Sequence, residues 1–182
     1  MPPGGLLIWL FIVVEMFTFG AAFVAFIYER RGSPDAFLAA QASLNRTIAM
    51  LNTALLLSSG FCVAQGVVAY KERVLRRSSR WVLIGALLGF GFLVLKGFEY
   101  RDKIAQGHTM GAGDFWGYYW ALTGFHFLHV AIGVALLLAA GIHLARGRTF
   151  ATEDAGLETV GAFWHMCDLI WIMLFPLLYI LR

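Results

Sequence analysis

The chain has 182 residues, of which 60% are hydrophobic and 14% charged, and its mean hydropathy is +0.74. A water-soluble domain carries about a quarter charged residues, so this composition excludes a soluble globular enzyme and indicates an integral membrane protein. The formal charge of +3 comes from basic residues in short stretches between apolar runs, which is no nucleic-acid-binding pattern, and the two cysteines, Cys62 and Cys167, both fall inside apolar runs, which excludes a disulfide framework.

A membrane-spanning helix requires about 20 mostly apolar residues. The first such run is predicted over residues 5–28. No Lys or Arg precedes it, it is longer than a signal-peptide core, and it lacks a clear small-residue cleavage site, so a retained transmembrane helix is expected. A connection from Glu29 to Arg46 follows, with a brief helix expected around Ala36–Ser43. The second span is predicted over 48–70, the third over 81–100, the fourth over 115–144 and the fifth over 157–181. The fourth is longer than the bilayer requires, which implies tilt or projection. Repeats, low-complexity tracts and linkers are absent. The expected architecture is an all-α, five-transmembrane-helix bundle forming one domain over 1–182.

Five spans put the termini on opposite sides of the membrane. The basic residues Lys71, Arg73, Arg76, Arg77, Arg80, Arg146 and Arg148 flank one side, and Arg30, Arg31, Arg46, Arg101, Lys103 and Arg182 the other. The totals are close, but the dense run KERVLRRSSR is the stronger topogenic signal. It predicts a cytoplasmic N-terminus.

Five ionisable residues fall near mid-depth in these runs: Glu15, His126, His129, His165 and Asp168. A charge in hydrocarbon costs about 2.5–3.5 kcal/mol even on the lenient insertion scales, so these groups are expected to face one another or a protein partner. His126 and His129 share a helix face at i,i+3 spacing. Imidazoles so placed suit a metal or haem, or they hydrogen-bond between helices. A bis-His haem needs a facing histidine, for which only His165 is available, and mutual hydrogen bonding is the better account. His165 and Asp168 repeat the spacing, either as a self-satisfied polar pair or as a ligand with its supporting carboxylate. Glu15 is alone on its helix, with His126, His129, His165 or a residue of another subunit as potential partners; it is either a proton-pathway residue or a neutral helix tie. Lys96 and Glu99 predict an ion pair near the membrane surface with Lys96 reaching outward. Glu158 opens the fifth span, where a carboxylate suits the helix dipole. Asn52 and Thr53 are placed to hydrogen-bond within the bundle, and P-loop, CxxC, GxSxG and dinucleotide motifs are missing.

Taken in order, these segments resemble the subunit III family of haem-copper oxidases. TGFHFLHVAIG is similar to the family's histidine signature, as is WHMCDLIW with Glu158 seven residues before His165. LNTALLLSSG resembles its Asn-Thr segment, KGFEY carries its Glu-Tyr pair at Glu99 and Tyr100, and FIVVEMFTF resembles the helix bearing its intramembrane glutamate, which places Glu15. Mitochondrial-type members have seven helices, and the first two have no counterpart in this sequence. The family's lipid-holding cleft lies between those two and the rest, so it is not carried over; phospholipid is the one non-protein ligand the resemblance raises. Five-helix members include quinol-oxidase subunit III and the NorE-type proteins associated with nitric oxide reductase. LNTALLLSSG, LVLKGFEY and WHMCDLIWIMLFPLLYIL look closest to the NorE-type branch.

The resemblance implies a non-redox accessory subunit without catalytic residues, metal or haem of its own. Such a subunit packs on a haem-bearing, subunit I-like catalytic partner in a bacterial-type cytoplasmic membrane, stabilises it and is linked to proton uptake. Glu15 would be the proton-pathway candidate, and Glu99, His126, His129, Glu158, His165 and Asp168 an intramembrane polar network. The alternative is a free-standing membrane metal- or haem-binding protein using His126, His129, His165 and Asp168.

Overall fold

The computed structural model describes residues 4–150 and 156–181; Arg182, one of the flanking charges weighed above, lies outside them. Six helices follow one another: α1 Leu6–Gly32, α2 Pro34–Ala42, α3 Arg46–Lys71, α4 Leu75–Ala105, α5 Asp114–Ala145 and α6 Gly156–Phe175, which runs on into a π-helical turn, Pro176–Ile180. All but α2 are long and apolar enough to cross a membrane. In hydrocarbon only a helix or a closed barrel satisfies its own backbone, so the apolar runs become helices.

Local chemistry sets the ends. Pro34 occupies the first turn of α2, where its missing N–H costs nothing. Asn45 caps α3 by accepting from the Ile48 amide at 3.2 Å. Pro176 interrupts the last helix because it has no N–H to donate, and the backbone widens into the π turn, closed by the Leu181 amide donating to the Pro176 carbonyl at 2.8 Å.

The third predicted span, 81–100, is the largest difference from expectation. Helix α4 runs for 31 residues, about 47 Å at 1.5 Å per residue. The stretch Leu75–Arg80, read from sequence as part of a basic loop, is helical. The reason is tertiary: Ser78 donates to the Gly66 carbonyl at 2.7 Å and Ser79 to the Gly141 carbonyl at 2.8 Å. These bonds lock the start of α4 between α3 and α5. At the far end Lys103 donates to the Ser43 carbonyl at 2.7 Å.

Helices α3, α4, α5 and α6 form the body of the bundle, with α4 packed on both α3 and α5, and α6 on both α3 and α5. Trp164 of α6 is fully buried. A side chain on Gly89 of α4 would run into its indole at 2.5 Å and one on Gly133 of α5 at 2.6 Å. The three helices therefore meet because two glycines make room for one tryptophan. Helix α1 is peripheral: it rests on α5 and α6 and leaves much of its length toward lipid. Phe26, Phe37 and Phe115 tie α1, α2 and α5 together, with ring centroids 5.4 to 6.2 Å apart.

The N-terminus, the α3–α4 turn and the start of α6 share one end of the bundle. Thr159 donates to the Gly4 carbonyl at 2.8 Å, and Lys71 pairs with Glu158 at 2.7 Å. Ser43 and Lys103 mark the opposite end.

Candidate functional site

The polar interior divides into separate sites. Of the five residues expected to share a mid-membrane layer, Glu15 and His129 form one ion-pair-distance contact, His165 and Asp168 a second, and His126 lies among aromatic rings.

Glu15 is almost fully buried, and its carboxylate lies 3.6 Å from His129 Nε2. The other ring nitrogen, Nδ1, is 2.8 Å from the Phe125 carbonyl. A carbonyl only accepts, so Nδ1 carries a proton. Nε2 faces the carboxylate from just beyond hydrogen-bond distance, and Glu15 Oε2 has no hydrogen-bond partner among the described residues. Phe11, Phe19, Phe125 and Phe163 surround the imidazole. Of the partners open to Glu15 from sequence, which were His126, His129, His165 or a residue of another subunit, the fold brings His129 to it.

His126 is fully buried, and neither ring nitrogen has a hydrogen-bond partner among the described residues. It lies nearly parallel to Trp171, 5.4 Å between centroids, with Phe92 edge-on at 5.9 Å. It serves as an aromatic ring. Among the described residues no three or more His, Cys, Asp or Glu side chains come together in a way that could hold a metal. His126, His129, His165 and Asp168 are thus not brought into one ligand set.

Lys96 corrects a second expectation. Its ammonium does not reach outward: the residue is 1% exposed. It donates to Glu99 Oε1 at 3.1 Å, to the Tyr119 hydroxyl at 3.2 Å and to the Tyr179 hydroxyl at 2.6 Å, which uses all three of its N–H groups. Tyr119 and Tyr179 each donate in turn to Glu99 Oε1 at 2.7 Å. The rings of Tyr100, Tyr119, Trp171 and Tyr179 enclose the ammonium at 4.9 to 5.6 Å from their centroids. The Lys96–Glu99 pair was legible from its spacing; Tyr119 and Tyr179 were not, because nothing local marks a tyrosine as the partner of a lysine on another helix.

Glu158 sits in the first turn of α6, as the dipole argument expects, and also pairs with Lys71. His165 Nδ1 lies 3.4 Å from Asp168 Oδ2, with the imidazole 46% exposed and the carboxylate buried. Thr53 accepts from the Trp171 indole N–H at 2.9 Å, as foreseen for a polar residue in the bundle, whereas neighbouring Asn52 is fully buried with its amide unpartnered among the described residues. An open groove of about 440 Å³ runs between α1, α3 and α6 from Lys71 and Glu158 past Trp9 and Ile12 to His165 and Leu169.

Comparison with known proteins gives these sites a setting. The family model for cytochrome c oxidase subunit III matches residues 5–182. The cytochrome c oxidase subunit 3 of Thermostichus vulcanus is 34% identical over 178 residues, covering 97% of this chain and 86% of its own. A probable cytochrome c oxidase subunit 3 of Nocardia farcinica is 27% identical, with 98% and 87% covered. A probable quinol oxidase subunit 3 of Staphylococcus haemolyticus is 26% identical, with 95% and 86% covered. The chain belongs to the cytochrome c oxidase subunit III family and is a multi-pass bacterial membrane protein.

Proposed function

We propose that this member of the subunit III family is a non-redox accessory subunit of a respiratory haem-copper oxidase or nitric oxide reductase complex. It packs on the haem-bearing catalytic subunit and stabilises it. The observation that carries this reading is the family match over residues 5–182. The interior chemistry supports it: His129 contacts Glu15, His165 contacts Asp168, and His126 is enclosed by aromatic rings. The segments LNTALLLSSG, LVLKGFEY and WHMCDLIWIMLFPLLYIL favour the NorE-type branch and hence a nitric oxide reductase complex.

Glu15 and His129 are the proton-handling candidates. What supports this reading is the approach of a carboxylate and an imidazole to 3.6 Å among aromatic rings. The dense basic run Lys71–Arg80 favours a cytoplasmic N-terminal end of the bundle in this reading. Phospholipid is the non-protein ligand of this reading, seated along the Trp9, Ile12 and Lys71 side of the groove between α1, α3 and α6.

Purification from native membranes in mild detergent tests the reading. The chain is expected to copurify with a larger haem-bearing membrane polypeptide and to show no haem absorbance when isolated. Stoichiometric haem absorbance in the isolated chain would overturn it and favour the metal- or haem-protein alternative.

A further inference from the structure

One polar site faces out of the bundle instead of into it. His165 and Asp168 lie on α6 at seven and ten residues beyond Glu158, or about 10 and 15 Å along the axis. Gly60, across from them on α3, is eleven residues, about 16 Å, from Lys71. The Lys71–Glu158 pair marks that end of the bundle. The site therefore lies at hydrocarbon depth, beyond reach of lipid headgroups.

Three observations set it apart. The imidazole of His165 is 46% exposed, and its Nε2 has no partner among the described residues. Asp168 Oδ1 is buried and equally without a partner among them. Both residues line an open groove of about 330 Å³ between α3 and α6, with Leu57, Gly60, Phe61 and Ile172. Gly60 is what admits the carboxylate, since a Cβ there would collide with Asp168 Oδ2 and sit 3.6 Å from His165 Nδ1. A helix pair has thus given up a side chain to seat an aspartate beside a histidine that points at lipid.

Polar and ionisable groups at this depth are costly unless protein covers them. Acyl chains offer no hydrogen bond to either residue.

We infer that the α3–α6 groove at Gly60, His165 and Asp168 is the docking face for a transmembrane helix of the catalytic subunit, one that presents a hydrogen-bonding side chain to His165. This rests on the accessory-subunit reading above and adds the face and the chemistry of the contact. Leu57 and Ile172, 46% and 45% exposed, are the apolar rim of the interface.

The test is photocrosslinking in native membranes, with a benzophenone amino acid placed at Leu57, at Ile172 and, as a control, at Leu87 of α4, which is 68% exposed. Crosslinks from Leu57 and Ile172 to the haem-bearing polypeptide, with none from Leu87, are expected. Crosslinks from Leu57 and Ile172 only to lipid or to a second copy of this chain overturn the inference. So does a crosslink to the haem-bearing polypeptide from Leu87 alone, which leaves the accessory role standing. If no haem-bearing polypeptide copurifies, both fall.

His165→Phe supplies a second measurement, because it keeps an aromatic ring of similar size. Haem recovered per chain is expected to drop about tenfold, as for loss of one central interface contact, with the chain's own level in the membrane unchanged. His165→Gln, which can still hydrogen-bond, restores most of it. Unchanged haem recovery in His165→Phe overturns the inference.

Discussion

The ammonium of Lys96 lies 2.6 Å from the phenol oxygen of Tyr179, which comes 83 residues later in the chain. Both hydrogen-bond with Glu99 Oε1, so one carboxylate oxygen joins α4 to the π turn at the C-terminal end of the bundle. Tyr119 brings α5 to the same point. The centre of this knot is a lysine with every N–H used, and no side chain there can be removed without stranding another.

Lys96→Met is accordingly expected to destabilise the fold by about 3–5 kcal/mol, since it leaves a buried carboxylate without its cation. Lys96→Met combined with Glu99→Leu should recover a substantial part of that loss. Unfolding in mixed detergent–denaturant solution, followed by tryptophan fluorescence, measures both. A double variant no more stable than the single one would sink this account.

Tyr179→Phe removes two hydrogen bonds to charged groups, one accepted from Lys96 and one donated to Glu99, and keeps the ring. At about 1.5–3 kcal/mol for each such bond, a loss of about 3–6 kcal/mol is expected. Because Tyr179 ties the π turn to α4, the same variant should speed amide hydrogen exchange over Pro176–Ile180 in detergent.

Gly89 and Gly133 make room for Trp164 from two helices. Gly89→Val should displace the indole and cost about 1–3 kcal/mol by overpacking. Trp164→Ala should cost about 3–5 kcal/mol by leaving a cavity. Gly97→Ala, on the same helix as Gly89 but with open space around it, is the control and is expected to be stable.

The Glu15 carboxylate lies 3.6 Å from His129 Nε2. Glu15→Leu is expected to weaken complex assembly or turnover far more than Glu72→Ala, which alters an exposed side chain 3.6 Å from Arg77. Glu15→Gln keeps the shape and hydrogen-bonding capacity without the transferable proton. If it assembles normally but slows proton uptake, Glu15 handles a proton; if both are normal, Glu15 is structural.

The Lys71–Glu158 pair is expected to matter little despite its 2.7 Å contact, because the Lys71 side chain is 62% exposed. Lys71→Ala should change stability by about 0–1 kcal/mol, with added salt reducing the difference. A larger, salt-independent effect would mean that Lys71 carries another role, such as holding a lipid headgroup at the groove mouth.

The amino-acid sequence by itself determined what is local in this molecule. Backbone hydrogen bonds in a bilayer close within each segment, so five apolar runs were legible as five spanning helices, and a brief helix was expected around Ala36–Ser43. Neighbours at i,i+3 were legible for the same reason, and Lys96–Glu99 and His165–Asp168 are paired as their spacing implies. Only the tertiary structure decided which helix faces which. It chose His129 over His126 and His165 as the contact of Glu15, turned Lys96 inward onto Tyr119 and Tyr179, and left His126 among rings. It also extended α4 through a basic stretch, because two serine hydroxyls found carbonyls on adjoining helices. Those outcomes depend on the rotation and depth of each helix against its neighbours, which side-chain packing sets across long sequence separations and no short stretch of chain encodes.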